Sequence, residues 1–319
     1  MFPVPGNLSR FAIALAALVA LSNAVEARSA DAPAAPAGLE LTLVTLRGER
    51  TVLATLPPTV FAPRVSPDGR RVAFELADDI PAPGAAPAYR LRVASIDAVE
   101  RSLRLSPVGP GRNYAPVWTT DGLRLVFSVA ADGEPDRLFV RRADGSDEPR
   151  RLVEGRAAES VVDDDRGLLF LLRSGDADYD IARLDLATNV VTPLVVHAGS
   201  AQHSSRRSPD GRWLAYASTE TGRQEVWLEP LPQTGQRFRV TQDGGRHPLW
   251  SPDGRTLYFD REDGLYRVEV FTGAAVPKIG RPRQLPIRGF VQGELRRQYD
   301  LLPDGRGFLL LFPVAAPGG

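Results

Sequence analysis

The chain has 319 residues, with 39 lysines and arginines against 39 aspartates and glutamates, so its formal net charge at pH 7 is zero. This balance gives no electrostatic basis for binding nucleic acid or an anionic membrane surface. Cysteine is absent, which excludes disulfides, thiolate catalysis, zinc–thiolate sites and lipoprotein attachment. The 29 glycines and 28 prolines are typical of a turn-rich folded chain.

The N-terminus has the pattern of a secretory signal peptide. Arg10 precedes an apolar run at 11–21, and a stretch of small residues follows that ends at Ala27. A helix of this length spans only about half of a ~30 Å hydrocarbon core, which disfavours a permanent membrane helix. We therefore expect residues 1–27 to be cleaved after Ala27, or alternatively after Ala24, and residues 28–38 to form a flexible linker.

Two strands are predicted directly after this linker. Residues 39–46 and 50–56 alternate apolar and polar side chains on either side of a short corner at Gly48. They precede the first copy of the motif that repeats through the rest of the chain. The blade to which they belong therefore depends on whether the last repeat of the chain is complete.

A corner of the type Ser-Pro-Asp-Gly, flanked by apolar residues, recurs along the chain. The copies begin at Ser66, Thr119, Ser208, Ser251 and Leu302, and a degraded copy without proline begins at Asp163. Including Asp165 of the degraded copy, successive turn aspartates are 43 to 53 residues apart. A period of about 40–50 residues with several short strands per repeat is typical of a β-propeller.

Each corner is predicted to be a structural turn. Proline presets φ, the aspartate carboxylate can bind nearby backbone amides, and glycine lets the next strand depart without a Cβ clash. The residues assigned this structural role are Asp68, Gly69, Asp121, Gly122, Asp210, Gly211, Asp253, Gly254, Asp304 and Gly305. The degraded corner lacks proline and is expected to be irregular.

The predicted fold class is all-β, a six-bladed β-propeller spanning residues 39–313 with a C-terminal tail at 314–319. Five internal blades of four strands each are predicted at 60–106, 113–154, 158–196, 203–241 and 246–287. The final repeat contains only two strands, within 298–312. We infer that residues 39–56 complete this sixth blade, so that no sheet edge is left open. Almost no helix is expected, and the longest irregular insertion is at 77–88.

The repeats resemble those of TolB-like propellers, which are WD40-like repeats built on a Ser-Pro-Asp-Gly corner. The resemblance covers residues 39–313, and its most specific part, 208–313, is similar to propellers C-terminal to some bacterial Ser/Thr kinases. The chain itself contains no kinase motif and no Gly-x-Ser-x-Gly elbow of the prolyl-oligopeptidase-like hydrolases. The resemblance implies a propeller fold and protein binding, without implying a reaction.

Polar residues recur where the innermost strands begin, on the face opposite the corners, which we call the rim. The candidate rim residues are Tyr114, Glu159, His203, Arg246, His247 and Arg297. We expect them to be exposed and to bind a protein or peptide, because tyrosine and arginine are common in binding hot spots. We also expect both rim histidines to gain positive charge below about pH 6.

Two alternatives to protein binding remain open at the rim. A metal held by His203, His247 and Glu159 would make the protein a metal-dependent propeller enzyme or a small-ligand binder, and simple solvation of polar side chains would give no site. His197 is predicted to lie at an outer edge. The segment at 176–180 lacks the glycine and the glutamate of an EF-hand loop, so we predict a solvated hairpin there.

Together these observations predict a secreted or periplasmic module without a cofactor or bound metal. We expect it to be monomeric and non-enzymatic, to bind a periplasmic or envelope protein or peptide through the rim, and to have no stable membrane span once the signal is removed.

Export can be tested directly. We expect residues 1–27 to be absent from the mature protein, because the short apolar run and the small residue at Ala27 match the preference of signal peptidase. N-terminal sequencing of protein recovered from the periplasm checks this, and an N-terminus at Met1 would contradict it.

Overall fold

Strand formation in this chain follows the short apolar runs between the corners. The computed structural model describes residues 36–77, 88–105, 107–109, 111–174, 178–274 and 276–315. The predicted signal peptide, most of the linker at 28–38, and parts of the insertion at 77–88, of the hairpin at 176–180 and of the tail at 314–319 lie outside these residues. Within the described residues the fold is almost entirely β, with one 3-10 turn at Val99–Arg101.

The strands form six antiparallel sheets, each of which runs from an innermost strand at the channel to an outermost strand at the periphery. Blade one contains β3 (Val60–Val65), β4 (Arg71–Ala77), β5 (Tyr89–Ser95) and β6 (Leu103–Arg104), in that order. Blade two contains β7 (Arg112–Trp118), β8 (Arg124–Ala130), β9 (Arg137–Arg142) and β10 (Arg150–Glu154). Blade three contains β11 (Arg156–Val162), β12 (Gly167–Arg173), β13 (Tyr179–Asp185) and β14 (Val191–Val195).

The remaining three blades have the same arrangement. Blade four contains β15 (Gln202–Arg207), β16 (Trp213–Ser218), β17 (Glu225–Pro230) and β18 (Phe238–Arg239). Blade five contains β19 (Arg246–Trp250), β20 (Thr256–Arg261), β21 (Gly264–Phe271) and two short outer strands, β22 (Lys278–Ile279) and β23 (Arg283–Gln284). Blade six contains β24 (Tyr299–Leu301), β25 (Gly307–Val314), β1 (Gly38–Thr45) and β2 (Arg50–Leu56).

Blade six combines both ends of the propeller, as the incomplete last repeat predicted. β1 pairs with β25 along its whole length, with Leu41 opposite Leu311, and β2 forms the outer edge of the same sheet. The six-bladed propeller fold and its closure by the N-terminal strands are therefore confirmed. Closure matters because it leaves every innermost strand with a neighbour on both sides.

The apolar core is divided into six clusters, one between each pair of neighbouring blades. In β4, Phe74 packs towards blade six while the adjacent Ala73 packs towards blade two. Because side chains alternate along a strand, both faces of a blade must be apolar when both are covered. Burying each large apolar side chain contributes about 1.5–3 kcal/mol, so the clusters bind the ring together.

The four corners that begin with serine or threonine share one set of hydrogen bonds. In blade one, Ser66 Oγ donates to Asp68 Oδ1 (2.5 Å) and accepts from the Arg71 amide (2.9 Å), while the Arg70 amide donates to Asp68 Oδ1 (3.0 Å). The corner glycine is also needed for close packing: a Cβ on Gly305, whose φ is 70°, would lie 2.8 Å from Cδ of Pro252. These contacts explain why serine, aspartate and glycine occur together at the corner.

The corner of blade three has a different geometry. Asp163, Asp164 and Asp165 all have a left-handed backbone, with φ of 57°, 51° and 65°. Arg183 and Arg207 both form ion pairs with the Asp163 carboxylate. Aspartate tolerates this region better than most residues, so three in a row replace proline and glycine here.

Among the described residues, no helix is long and apolar enough to cross a membrane.

Closure predicts how the protein responds to truncation. Deleting residues 39–56 should abolish cooperative unfolding, because β25 would lose one of its two partner strands and the cluster between blades six and one would lose Leu39, Leu41 and Leu56. Thermal unfolding followed by circular dichroism measures this. The control is deletion of residues 28–36, which should leave the melting curve almost unchanged. A cooperative, parent-like melt after the 39–56 deletion would contradict the structural role of the N-terminal strands.

Candidate functional site

The innermost strands share a β-bulge where they begin at the rim. The pairing with the next strand shifts there in blades one to five. The residue at the bulge has a left-handed backbone, with φ of 49° at Ala62, 51° at Ala115, 44° at Ala157, 60° at Ser204 and 54° at His247. Such angles cost about 1–3 kcal/mol in non-glycine residues and persist only where surrounding contacts hold them.

Polar side chains supply those contacts by accepting hydrogen bonds from amides at the bulges. In four cases the acceptor comes from the preceding blade, so the bond also joins two blades. Three of these pairs are Gln298 Oε1 with the Ala62 amide (2.8 Å), Glu75 Oε1 with the Ala115 amide (2.9 Å) and Ser128 Oγ with the Ala158 amide (3.1 Å). A buried amide left without an acceptor costs about 1–3 kcal/mol, so these polar residues stabilise the rim.

Glu159 has the same role between blades three and four. Its carboxylate accepts hydrogen bonds from the amides of Ser204 and Ser205 and from the Ser205 hydroxyl. Burial raises the pKa of Glu159, while the hydrogen bonds from Ser205 oppose that shift. Both carboxylate oxygens are therefore already occupied by donors of the protein itself.

Blades four to six bring together a buried polar cluster at the rim. Asp260 accepts hydrogen bonds from His247 Nδ1 (2.8 Å) and Arg246 Nε (2.8 Å), and the Tyr299 hydroxyl donates to the His247 carbonyl (2.9 Å). The rings of His203 and His247 lie 6.0 Å apart. Nε2 of each histidine is buried without a hydrogen-bond partner in the described part of the chain.

Both histidines are buried where the charged imidazole is disfavoured. Burial, together with the nearby His247 and Arg246, lowers the pKa of His203 to about 3. Burial also lowers the pKa of His247, although Asp260 acts in the opposite direction. The expectation of positive charge below about pH 6 is therefore wrong for His203, because its surroundings disfavour the charged imidazole.

The structure does not arrange the predicted metal set as a metal site. Among the described residues, no group of three or more His, Asp or Glu side chains is arranged to hold a metal ion. His203 and His247 are neighbours, but the carboxylate of Glu159 is bound to Ser204 and Ser205. The alternative of a metal held by His203, His247 and Glu159 is not supported by this geometry.

The predicted exposure of the rim residues is also wrong. The exposed fractions are 3% for Tyr114, 7% for Glu159, 1% for His203, 1% for His247 and 4% for Arg297, and Arg246 is half-buried. At the rim these side chains form hydrogen bonds both within a blade and between blades. Replacing Tyr114 and Arg297 would therefore disturb packing, so a change in binding after such replacements could not be assigned to a surface.

A second set of rim residues, which shares Tyr114 with the first, includes five side chains that are only half-buried. Around blades six, one, two and three, arginines alternate with aromatic rings; we call this surface the arginine–aromatic band. Its members are Phe61, Tyr89, Arg112, Tyr114, Arg156, Tyr179 and Arg296. Tyr89 and Tyr114 are buried, and the other five side chains are half-buried.

Cation–π contacts order the band. The Arg112 guanidinium carbon lies 5.4 Å from the Tyr89 ring centre and 5.2 Å from that of Tyr114. Arg296 lies 5.7 Å from Phe61 and 5.8 Å from Tyr114. These are within the range of about 6 Å over which a ring face attracts a cation. Arg156 extends the band by donating to the Tyr179 hydroxyl (2.6 Å).

Sequence reasoning missed most of the band because its members come from different parts of each repeat. Tyr89 and Tyr179 begin the third strands of their blades, whereas Arg112 and Arg156 begin innermost strands. They share one signal: each is a large aromatic or cationic residue at the rim end of a strand. Only the ring arrangement of the blades brings these ends together.

Comparison with known proteins supports the fold. No family model matches the sequence. A segment of 77 residues is 36% identical to dipeptidyl aminopeptidase BIII of Pseudoxanthomonas mexicana, and 114 residues are 28% identical to an uncharacterised protein of Agrobacterium fabrum. These segments cover 21% and 35% of this chain but only 11% and 34% of the two relatives, far less than two thirds of either.

Solved structures match over more of the chain. A TolB-type protein from Agrobacterium tumefaciens has a TM-score of 0.66 at 16% identity, covering 88% of this chain and 99% of that one. TolB from Acinetobacter baumannii has a TM-score of 0.55 at 15% identity, covering 97% and 71% of the two chains. Oligogalacturonate lyase from Vibrio parahaemolyticus has a TM-score of 0.54 at 13% identity, covering 86% and 83%.

At these identities the likeness concerns the fold alone. The chain has the fold of TolB-like six-bladed propellers, as the Ser-Pro-Asp-Gly repeats predicted, and the likeness extends to a lyase as well as to TolB.

The buried histidines predict a pH-dependent stability. Folding lowers the pKa of His203, so between the two pKa values the unfolded chain binds more protons than the folded chain. The free energy of unfolding should therefore be highest above the unfolded pKa of about 6.5 and should decrease as the pH falls towards about 3. His203→Asn should flatten this dependence by up to about 1.4 kcal/mol per pH unit. Denaturant unfolding at several pH values measures it, with His197→Asn as the matched control. A parent-like slope for His203→Asn would contradict the burial argument.

Proposed function

We propose that this protein is a non-enzymatic propeller module that binds another protein, or a peptide segment, through the arginine–aromatic band at the channel mouth. The observation that carries the proposal is the band itself, in which half-buried arginines contact aromatic rings that are buried or half-buried. Arginine, tyrosine and tryptophan are the residue types that dominate binding hot spots. The proposed binding site therefore lies on the same face as the predicted rim site but consists mostly of neighbouring side chains.

The band is ordered before a partner arrives. Tyr114 is fixed by a hydrogen bond of 2.5 Å to Asp136 and is in cation–π contact with Arg112 and Arg296. Arg296 is further held by an ion pair of 2.6 Å with the buried Glu75. Side chains that are already immobilised lose less conformational entropy on binding, which favours affinity.

The charge of the band indicates the chemistry of the partner. Arg296 pairs with Glu75 and Arg156 lies 3.7 Å from Asp136, whereas Arg112 forms no ion pair with any described residue. An aspartate, a glutamate or a chain-terminal carboxylate of the partner can therefore pair with Arg112 while apolar groups contact Phe61 and Tyr179. We infer an acidic segment that also carries apolar side chains.

The proposal includes the place of action. The pattern of residues 1–27 supports export, residues 28–38 would then lead into the propeller, and the partner would be a periplasmic, envelope or extracellular protein. The TolB-like fold is consistent with such a module.

The band can be tested by replacing its solvent-facing side chains. The triple variant Arg112→Ala, Arg156→Ala, Tyr179→Ala should weaken partner binding at least about tenfold, since hot-spot residues each contribute about 2 kcal/mol or more. Its melting temperature should stay within a few degrees of the parent's, because all three side chains are only half-buried and Tyr179 lies at the margin of the cluster between blades three and four. Binding is measured by quantitative capture from an envelope extract, followed by titration of the captured protein.

The matched control removes two arginines and one aromatic ring from the corner face. Arg70→Ala, Arg306→Ala, Phe271→Ala alters exposed side chains at the ends of strands near the corners and should leave binding unchanged. If the corner variant loses the partner while the band variant retains it, the proposed binding face is wrong.

A further inference from the structure

The central channel contains a cavity of about 210 Å³ that the proposed function does not use. Its walls come from β3, β7, β11, β15 and the start of blade six, so five blades contribute to it. Arg64, Arg206 and Arg297 line it together with only two carboxylates, those of Glu159 and Asp300. Three guanidinium groups from three different blades therefore converge on one space.

Arg64 is buried without a carboxylate partner. Its side chain is 9% exposed, and its hydrogen bonds run from Nη1 to the carbonyl oxygens of Pro63 (2.8 Å) and Arg297 (3.0 Å). Nε of Arg64 is buried and has no hydrogen-bond partner in the described chain. A cationic donor is thus held at the cavity wall with part of its hydrogen-bonding capacity unused.

Arg206 is bound in the same way on the opposite part of the wall. Its Nη1 donates to the carbonyl oxygens of Glu159 and Ser205, and it forms no ion pair with the described residues. Carbonyl oxygens fix the direction of the guanidinium but do not neutralise its charge. Burial and the nearby Arg297 lower the pKa of Arg206 to about 9, and the same causes lower that of Arg64, which shows how poorly these charges are compensated.

The two carboxylates of the cavity are already engaged. Asp300 accepts from Arg297 Nη2 (2.9 Å) and from the Val65 amide (3.0 Å). Glu159 accepts from the amides of Ser204 and Ser205. One of the three arginines is thus neutralised directly, and the cavity retains at least one positive charge in excess. Burying such a charge is unfavourable unless an anion pairs with it.

We propose that the channel cavity binds a small oxyanion, a carboxylate or phosphate group that pairs with the guanidinium groups of Arg64 and Arg206. Guanidinium groups bind such oxyanions through charge-assisted hydrogen bonds with matching planar geometry. This site uses different residues from the arginine–aromatic band, so the failure of either proposal leaves the other standing.

The remaining lining residues limit the size and polarity of the ligand that carries the oxyanion. Val65, Val117, Trp118 and Val161 form an apolar part of the wall, at the ends of the innermost strands nearest the corners. The volume corresponds to about seven water-sized groups, since water occupies about 30 Å³ in the liquid. A short aliphatic acid or the last residue of a peptide chain matches this combination of size, charge and apolar contact.

Calorimetric titration of the full chain at constant ionic strength tests the site. The probes are succinate, inorganic phosphate, and an acetylated alanine dipeptide with either a free or an amidated C-terminus. We expect saturable binding with one site per chain for at least one oxyanion, and none for the amidated peptide. Tighter binding of the free dipeptide than of succinate would identify a chain end as the natural ligand, and the reverse order would identify a free small anion.

Matched arginine variants locate the binding. Arg206→Met and Arg64→Met should each weaken binding at least about tenfold, because each removes a charge-assisted contact. Arg306→Met, the same substitution at an exposed corner residue, should leave binding unchanged. Should a methionine variant fail to fold, Arg206→Lys keeps the charge but loses the planar fork, and it should still weaken binding measurably.

Two results would overturn the proposal. One is the absence of saturable binding of every oxyanion to the parent chain. The other is an equal loss of affinity in Arg306→Met and Arg206→Met, which would place the binding outside the channel.

Discussion

The structure depends on the mutual covering of blades that are apolar on both faces. No single blade can shield both sides of its own sheet, so each cluster of the core belongs to two blades at once. A ring is the arrangement in which every blade has two neighbours, and the chain achieves it by sharing blade six between its two ends. Opening the pairing of β1 with β25 would expose the two clusters that blade six shares with its neighbours. This pairing therefore keeps the ring closed.

Local chemistry explains why so much of the fold was predictable. The corners are determined by three or four adjacent residues, so their positions and the strands that flank them can be read from the sequence. In blade four, for example, the predicted span of 203–241 agrees closely with the observed strands, which begin at Gln202 and end at Arg239. The outer strand, Phe238–Arg239, contains only two residues and ends before the predicted boundary. Outer strands have fewer neighbours, so the pattern that defines them is weaker.

The rim could not be predicted from the same signals because its geometry is not local. A polar residue at the end of a strand was expected to face solvent, yet the bulge rotates it into the interface between two blades. Tyr114 instead donates to Asp136 of its own blade, Glu159 accepts from amides of the next blade, and His203 and His247 are buried where the charged imidazole is disfavoured. The direction of a side chain at a bulge depends on the register with a second strand, and sequence periodicity contains no information on that register. The face was predictable, but the exposed members of that face were not.

In the channel, by contrast, the sequence does contain a signal, because charged residues recur at one position of the repeat. Arg64, Arg206 and Asp300 each lie four residues before a corner aspartate, and the equivalent residues of blades two and five are Val117 and Leu249. Apolar residues are therefore compatible with this position, so the fold does not require a charge there. Burying an arginine without a carboxylate costs stability, and replacing it by an apolar residue of similar volume would remove that cost. A charge retained at such a position, in three blades that meet at one cavity, is better explained by what the cavity binds than by what the propeller needs in order to fold.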